Sequence, residues 1–218
     1  MARKTVIAIL VVVMFVVAVL IFMMKGPDVS QYEPLKEPRI TTMQDRKMLV
    51  VEAKGDPGIV SKKAFGLLFK IYYKLDGVPK GPKQQAPRGR WSGNLNKRSD
   101  WIGRYAMPVP DSTTALPAIA AEPGFKVELT TWEYGTVAEI LHIGPYSKET
   151  PTIEKLMKFI KDSGYTIIGY HEEEYIKGPG MFFKGDPEKY YTIIRYRVAK
   201  NGAPDSRLSI EQNNMLLK

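Results

Sequence analysis

The sequence predicts an α+β fold: two strand–helix–strand–strand modules with pseudo-two-fold symmetry, whose antiparallel sheets form a central cleft, preceded by one transmembrane helix. Three observations lead to this prediction. Apolar residues fill positions 6–24 without interruption. Two later segments carry apolar residues at helical spacing on one face only, which is typical of helices that cover one side of a sheet. A proline turn and a closing glycine bracket each segment, at Pro57 and Gly77 and again at Pro145 and Gly164, which indicates an internal repeat.

The N-terminal apolar run is nineteen residues long (VIAILVVVMFVVAVLIFMM), close to the ~20 residues that cross a bilayer as a helix. No small-x-small cleavage site follows it, so we expect an uncleaved anchor over residues 1–25 rather than a removed signal peptide. Arg3 and Lys4 precede the run and Lys25 follows it. The excess of positive charge before the run predicts a single-pass protein with its N-terminus in the cytoplasm and its main domain outside.

Residues 26–46 contain three prolines and little apolar periodicity, which predicts an extended linker. The main domain is expected over residues 47–198, with modules at about 47–109 and 125–198. Residues 199–218 are polar and rich in turn formers, so we expect a flexible tail.

In the first module, residues 47–54 predict a strand and Asp56-Pro57-Gly58 a turn. Ser61 is the expected N-cap of a helix that ends near Leu75. Its apolar face consists of Ala64, Leu67, Leu68, Ile71 and Leu75. A basic loop with a short strand near Arg90 follows, and then a strand over residues 101–109.

In the second module, two strands are expected over residues 125–131 and 136–143, followed by a helix capped by Thr150 or Thr152. The apolar face of this helix consists of Ile153, Leu156, Met157 and Ile160. One long strand is expected over residues 165–176 and a last one over residues 190–198. Because each helix is apolar on one face, it covers one face of its sheet, and we expect the helix-free faces to meet and form the cleft.

The segment HEEEYIKGP, at the end of the long predicted strand, carries the chemistry of most interest. Side chains alternate on a strand, so His171, Glu173 and Tyr175 share one face, and Glu172 and Glu174 lie on the other. A carboxylate on an inward face needs a partner, a raised pKa or a ligand. The alternative is an edge strand with solvated glutamates.

Glu173, Tyr175 and Pro179 resemble the strand motif of the GyrI-like small-molecule-binding domains, which include the effector-binding domains of bacterial transcription activators. The resemblance covers about residues 47–198 and is stronger in the second module. It implies that Glu173 points into the cleft. The corresponding position of the first module lies near Gly89, so no second acid is apparent, and no DNA-binding segment of the activators is present.

The resemblance implies a site for amphipathic or cationic aromatic ligands, because a glutamate framed by aromatic rings combines charge pairing with cation–π attraction. The candidate ligand-binding residues are Glu173, Tyr175, Trp101, Tyr105, Trp132, Tyr134 and Trp91. Three alternatives remain: a hydrolase of electrophilic small molecules with Glu173 and Tyr175 as its catalytic pair, a SOUL-like haem binder with His142 or His171 as axial ligand, and a protein-interaction scaffold.

Composition excludes several other classes. The chain has no cysteine and two histidines, so neither disulfides nor thiolate or histidine-rich metal sites are expected, and no cofactor is predicted. The net charge of +9 favours anionic surfaces, but no nucleic-acid-binding motif accompanies it. The expected partners are a small-molecule ligand and the membrane, through the N-terminal helix.

Overall fold

The structure is a computed structural model that describes residues 13–15, 28–93, 97–119, 122–179 and 185–202. The chain divides into residues 1–31 and residues 32–218. In the first unit, residues 13–15 are helical and exposed, and the rest of the predicted anchor lies outside the described residues. Across the ranges that are described, no helix has the length and apolar character needed to span a bilayer.

The second unit is an α+β domain built on a large antiparallel sheet. Its described strands are β1 (Arg39–Met43), β2 (Arg46–Lys54), β3 (Arg88–Gly93), β4 (Trp101–Pro108), β5 (Phe125–Trp132), β6 (Gly135–Ile143), β7 (Tyr165–Ile167), β8 (His171–Lys177) and β9 (Tyr191–Lys200). Two α-helices, α1 (Pro57–Tyr72) and α2 (Thr150–Asp162), accompany them. The strand order is β1-β6-β9-β8-β3-β4-β2-β5, and β7 also pairs with β9.

This order is made of two equivalent halves that meet where β3 pairs with β8. The first half runs β3-β4-β2 and the second β8-β9-β6. Each half is completed by a strand from the other part of the chain, because β1 precedes β2 but pairs with β6, and β5 precedes β6 but pairs with β2. The prediction that residues 26–46 form an extended linker is therefore wrong for residues 39–43, whose backbone hydrogen bonds are made within the sheet.

The sheet cannot be flat. Met43 and Arg46 are separated by two residues, which limits their Cα distance to about 11 Å, yet six strand spacings of ~4.8 Å would place β1 and β2 about 29 Å apart in a flat sheet. The helix-free face therefore folds onto itself. Met48 and Val50 of β2 pack there against Val137 of β6. The expected cleft between helix-free faces is not observed here, because these apolar side chains fill the space.

Both helices pack on the opposite face of the sheet. The buried residues of α1 (Ala64, Leu68, Ile71 and Tyr72) lie against β2 and β4, and those of α2 (Leu156 and Ile160) against β6 and β9. The N-cap of α1 is Asp56, whose Oδ1 accepts a hydrogen bond from the Gly58 N–H at 2.8 Å, with Pro57 at N1. The prediction of Ser61 as N-cap is wrong because Asp56-Pro57 starts the helix one turn earlier.

The two halves use glycine at equivalent places. Gly55 and Gly144, which precede the helices, both have φ = +136°, a value that L side chains rarely adopt. Their N–H groups donate to the carbonyls of Trp101 and Tyr190 at 2.9 and 3.0 Å. The same backbone turn therefore leads from strand to helix in each half.

The single strand predicted over residues 165–176 is divided in two. β7 pairs with the end of β9 and β8 with its beginning, and residues 168–170 bulge between them. A Cβ at Gly169 would lie 2.7 Å from the Cβ of Arg197, so this close approach of the two strands requires glycine.

Candidate ligand-binding groove

The two faces of β8 have different chemistry. His171, Glu173 and Tyr175 lie on the helix-bearing face, and Glu172 and Glu174 lie on the helix-free face, where they meet arginines. The predicted alternation thus holds, and it separates one acidic strand into two environments.

On the helix-free face, Glu172 is 2% exposed and is surrounded by donors. Its Oε2 accepts from Arg90 Nε at 2.8 Å, and its Oε1 accepts from Arg195 Nη1 at 2.9 Å and from the Tyr134 hydroxyl at 3.0 Å. Burial opposes ionisation of Glu172, but the three neighbouring guanidinium groups outweigh it and lower its pKa. We call Arg88, Arg90, Glu139, Glu172, Glu174 and Arg195 the ionic cluster.

Trp132 and Tyr134 belong to the ionic cluster's face. The Arg90 guanidinium lies 4.0 Å from the centroid of Trp132, and Arg88 donates to the Tyr134 hydroxyl. Burial and Glu172 raise the pKa of Tyr134 to about 12. The structure therefore does not bring these two predicted ligand contacts together with Glu173.

We call the central part of the helix-bearing face, between α1 and α2, the groove. α1 packs mainly on β2 and β4, and α2 mainly on β6 and β7, so the middle strands β3 and β8 form a floor between the helices. On this floor Gly89 pairs with Glu173 and Trp91 with His171. A Cβ at Gly89 would lie 2.8 Å from the Tyr175 hydroxyl, so glycine at this position makes room for that ring.

Glu173 is buried in this groove, at 9% exposure. His171 Nε2 lies 3.0 Å from its Oε1, and His171 Nδ1 lies 2.8 Å from the Tyr196 hydroxyl. Among the described residues, no lysine or arginine nitrogen lies within 4.0 Å of its carboxylate. Glu173 therefore differs from Glu172, which has three cationic neighbours.

Aromatic rings surround this carboxylate. On the α1 side, the Phe65 ring lies 4.9 Å from Tyr105 and 5.7 Å from Tyr175. On the α2 side, the Tyr146 ring also lies 5.7 Å from Tyr175. Tyr146 is 38% exposed, so the groove meets solvent at this ring.

Two tryptophans extend this aromatic lining along the floor. Trp91 lies 5.5 Å from Tyr105 and 5.9 Å from Trp101. Its indole Nε1 is buried without a hydrogen-bond partner among the described residues. Of the aromatic residues predicted from the sequence, Trp91, Trp101, Tyr105 and Tyr175 thus lie in one connected set of rings on the helix-bearing face. Tyr105 and Trp91 are buried members of the core under α1.

The tyrosines of the groove are held in the protonated form. Burial, followed by the charge of Glu173, raises the pKa of Tyr175 well above its ordinary value and that of Tyr196 to about 12. Both hydroxyls are therefore available as hydrogen-bond donors at neutral pH.

This region contains a second buried carboxyl group, which was not predicted from the sequence. Glu149 precedes α2 and is 7% exposed. Burial and the charge of Glu173 raise its pKa to about 9, so it is protonated at neutral pH. An acidic residue just before a helix usually stays in solvent and interacts favourably with the helix N-terminus. Nothing in the local sequence indicates that Glu149 is buried.

The histidines have their ring nitrogens engaged. His142 Nδ1 lies 3.0 Å from Thr152 Oγ1 and its Nε2 lies 3.3 Å from the Pro145 carbonyl oxygen. Burial lowers the pKa of His142. His171 contacts Glu173 and Tyr196, as described above. Either residue would have to break a contact to bind a haem iron, so the residues present do not fit a haem site.

Comparison with known proteins gives structural likenesses only. No protein-family model matches the chain, and no curated protein matches it by sequence. An uncharacterized conserved protein from Listeria innocua superposes with a TM-score of 0.62 at 24% identity, covering 79% of this chain and 97% of that one. A hydrolase from Listeria innocua gives 0.60 at 22% identity, covering 78% and 95%. The EcmrR C-terminal domain gives 0.54 at 15% identity, covering 75% and 98%. At these identities the likeness shows the fold alone.

Proposed function

We propose that this chain is a small-molecule-binding module that takes a cationic, amphipathic or aromatic ligand in the groove between α1 and α2. The observation that carries the proposal is the environment of Glu173. Its carboxylate is buried and faces aromatic rings, and the described residues offer it no arginine or lysine within 4.0 Å.

A buried carboxylate is stabilised only by hydrogen bonds or by a positive charge. On the other face of the same strand, arginines provide that charge for Glu172. On the groove face, a cationic ligand would provide it for Glu173, and the ring of Tyr175 would add cation–π attraction. The carboxylate supplies selectivity for charge and the rings supply most of the contact area.

The test compares a planar aromatic cation with a neutral analogue of the same size, using intrinsic tryptophan fluorescence or calorimetry. Glu173→Gln should weaken binding of the cation by about 10- to 100-fold, because a buried contact with a charged group contributes ~1.5–3 kcal/mol. The neutral analogue should change by less than about twofold. Glu133→Gln, at an exposed side chain, is the matched control. Equal loss for both ligands, or for neither, would defeat the proposal.

A hydrolase is the second candidate, because Glu173 lies beside a tyrosine that is held protonated and one structure of this fold is a hydrolase from Listeria innocua. In this reading Glu173 acts as base or nucleophile and Tyr175 donates a proton. Glu173→Gln would then abolish product formation from an electrophilic substrate while Tyr175→Phe still binds it. Binding without turnover across a panel of electrophiles would leave the binding function alone.

The proposal includes a membrane anchor at residues 6–24, which rests on the length and apolarity of that segment. The ligand-binding module would then lie outside the cytoplasm. A reporter fused after Lys218 that is active only in the cytoplasm would contradict this topology.

A further inference from the structure

Glu149 is a buried carboxyl group that the proposed function does not use. Its side chain is more than nine-tenths buried, and its Oε1 atom has no hydrogen-bond partner among the residues that the structure describes. Glu149 occupies the N-cap position of α2, but its side chain makes no capping hydrogen bond. Buried polar atoms in folded proteins are nearly always paired, so this oxygen calls for an explanation.

Glu149 belongs to the same groove as Glu173. Its backbone N–H donates to the carbonyl of Tyr146 at 3.3 Å, and the Tyr146 ring contacts Tyr175 on the groove floor. The charge of Glu173 raises the pKa of Glu149, and Glu149 in its ionised form would raise the pKa of Tyr175. Two buried carboxyl groups therefore flank the contacting rings of Tyr146 and Tyr175: Glu173 lies two residues before Tyr175 on β8, and Glu149 lies three residues after Tyr146 at the start of α2.

We infer that Glu149 is a second ligand-binding residue of this groove and that it selects cations carrying an N–H donor, such as protonated amines and amidinium groups, over quaternary cations of the same size. This inference rests on the proposed function, since it assigns the second polar contact of the same ligand.

Charge and hydrogen bonding act differently on the two kinds of cation. Coulomb attraction to Glu173 and cation–π attraction act on any cation, with or without an N–H group. A hydrogen bond to Glu149 Oε1 requires an N–H group. A quaternary cation would leave that oxygen buried and still unpaired, and sites with an unpaired buried polar group discriminate strongly against ligands that cannot satisfy it.

The experiment uses a matched pair of probes, protonated N,N-dimethyl-(2-naphthylmethyl)amine and its N-methyl quaternary salt. The two have the same ring system and charge and differ by one N–H. Calorimetry on the full chain at neutral pH should give at least about tenfold tighter binding of the amine. Glu149→Leu removes the acceptor and should reduce the ratio to near one. Glu149→Gln keeps an acceptor oxygen and should retain part of the preference. Glu154→Gln, an exposed position on α2, is the control.

The proposed function and the role of Glu149 can fail separately in this experiment. If Glu173→Gln leaves the affinity of both probes unchanged, the proposed function itself fails. If Glu173→Gln weakens both probes but wild type binds them equally, only the role of Glu149 fails. A preference that survives unchanged in Glu149→Leu also overturns it. Should Glu149→Leu not fold, the wild-type ratio and the Glu149→Gln ratio still decide, because a ratio of one in wild type is incompatible with the inference.

Discussion

Glu172→Gln tests how far the ionic cluster stabilises the centre of the sheet. Glu172 joins the two halves of the domain, since it lies on β8 and accepts a hydrogen bond from Arg90 on β3. The substitution keeps the size of the side chain and removes its charge. Three arginines, Arg88, Arg90 and Arg195, would then share the two remaining glutamates of the cluster.

The expected loss follows from burial. Removing one partner of a buried ion pair costs about 3–5 kcal/mol, because the opposite charge stays behind without compensation. Glutamine can still accept one of the bonds that Glu172 accepts, so we expect a loss of about 3 kcal/mol in the free energy of unfolding. Glu133→Gln is the control: its side chain is 57% exposed and 3.5 Å from Arg197, and exposed pairs contribute about 0–1 kcal/mol.

Urea denaturation monitored by circular dichroism measures the loss of unfolding free energy in each variant.

The pH dependence of this loss is a second test. Because the folded-state pKa of Glu172 lies below its ordinary value of 4.5, its contribution is present above about pH 4.5 and is lost as the pH falls through the folded-state pKa. The difference between wild type and Glu172→Gln should therefore shrink in acid. Equal losses for Glu172→Gln and Glu133→Gln at neutral pH would refute this account of the cluster.

Two further predictions concern the groove. The folded-state pKa of Glu149 is raised to about 9 from 4.5, so its contribution to stability is full below about pH 4.5 and is lost as the pH rises towards 9. In urea denaturation, the unfolding free energy of Glu149→Gln should therefore equal that of wild type at pH 4 and exceed it at pH 8. A difference that does not change with pH would contradict the burial of Glu149. Gly103→Ala should lower the unfolding free energy by about 1–3 kcal/mol, because its Cβ would lie 2.8 Å from the Trp91 ring. Gly66→Ala, with no atom within 4 Å of its Cβ in the middle of α1, should instead raise it by about 0.5–1 kcal/mol; the same sign for both alanines would contradict the packing argument.

The parts of the fold that local chemistry determines were predictable. Alternation on β8 followed from a strand period of two, and it correctly grouped His171 with Glu173 and Tyr175. The predicted α+β class with antiparallel strand pairing is also observed. Errors arose where two local signals competed: Asp56-Pro57 starts α1 although Ser61 is also a good N-cap residue.

Other features depend on contacts that no local pattern specifies. β1 follows a proline-containing segment and was not predicted, because it is a strand through its pairing with β6, about a hundred residues away. The sequence does not reveal that the sheet folds onto its helix-free face, so Trp132 and Tyr134 were placed with the wrong set of side chains. The burial of Glu149, at the N-terminus of α2, likewise depends on the tertiary structure.

The exchange of β1 and β5 has a consequence for how such a protein could arise. A chain of half this length could complete its sheet only by lending its outer strand to a second copy, as in a swapped homodimer. In that dimer two identical acids would stand side by side on the shared central strands, where like charges repel. Joining the two copies in one polypeptide removes this constraint, because the two halves can then differ in sequence. Here glycine occupies position 89, opposite Glu173, so only one of the two equivalent positions carries an acid.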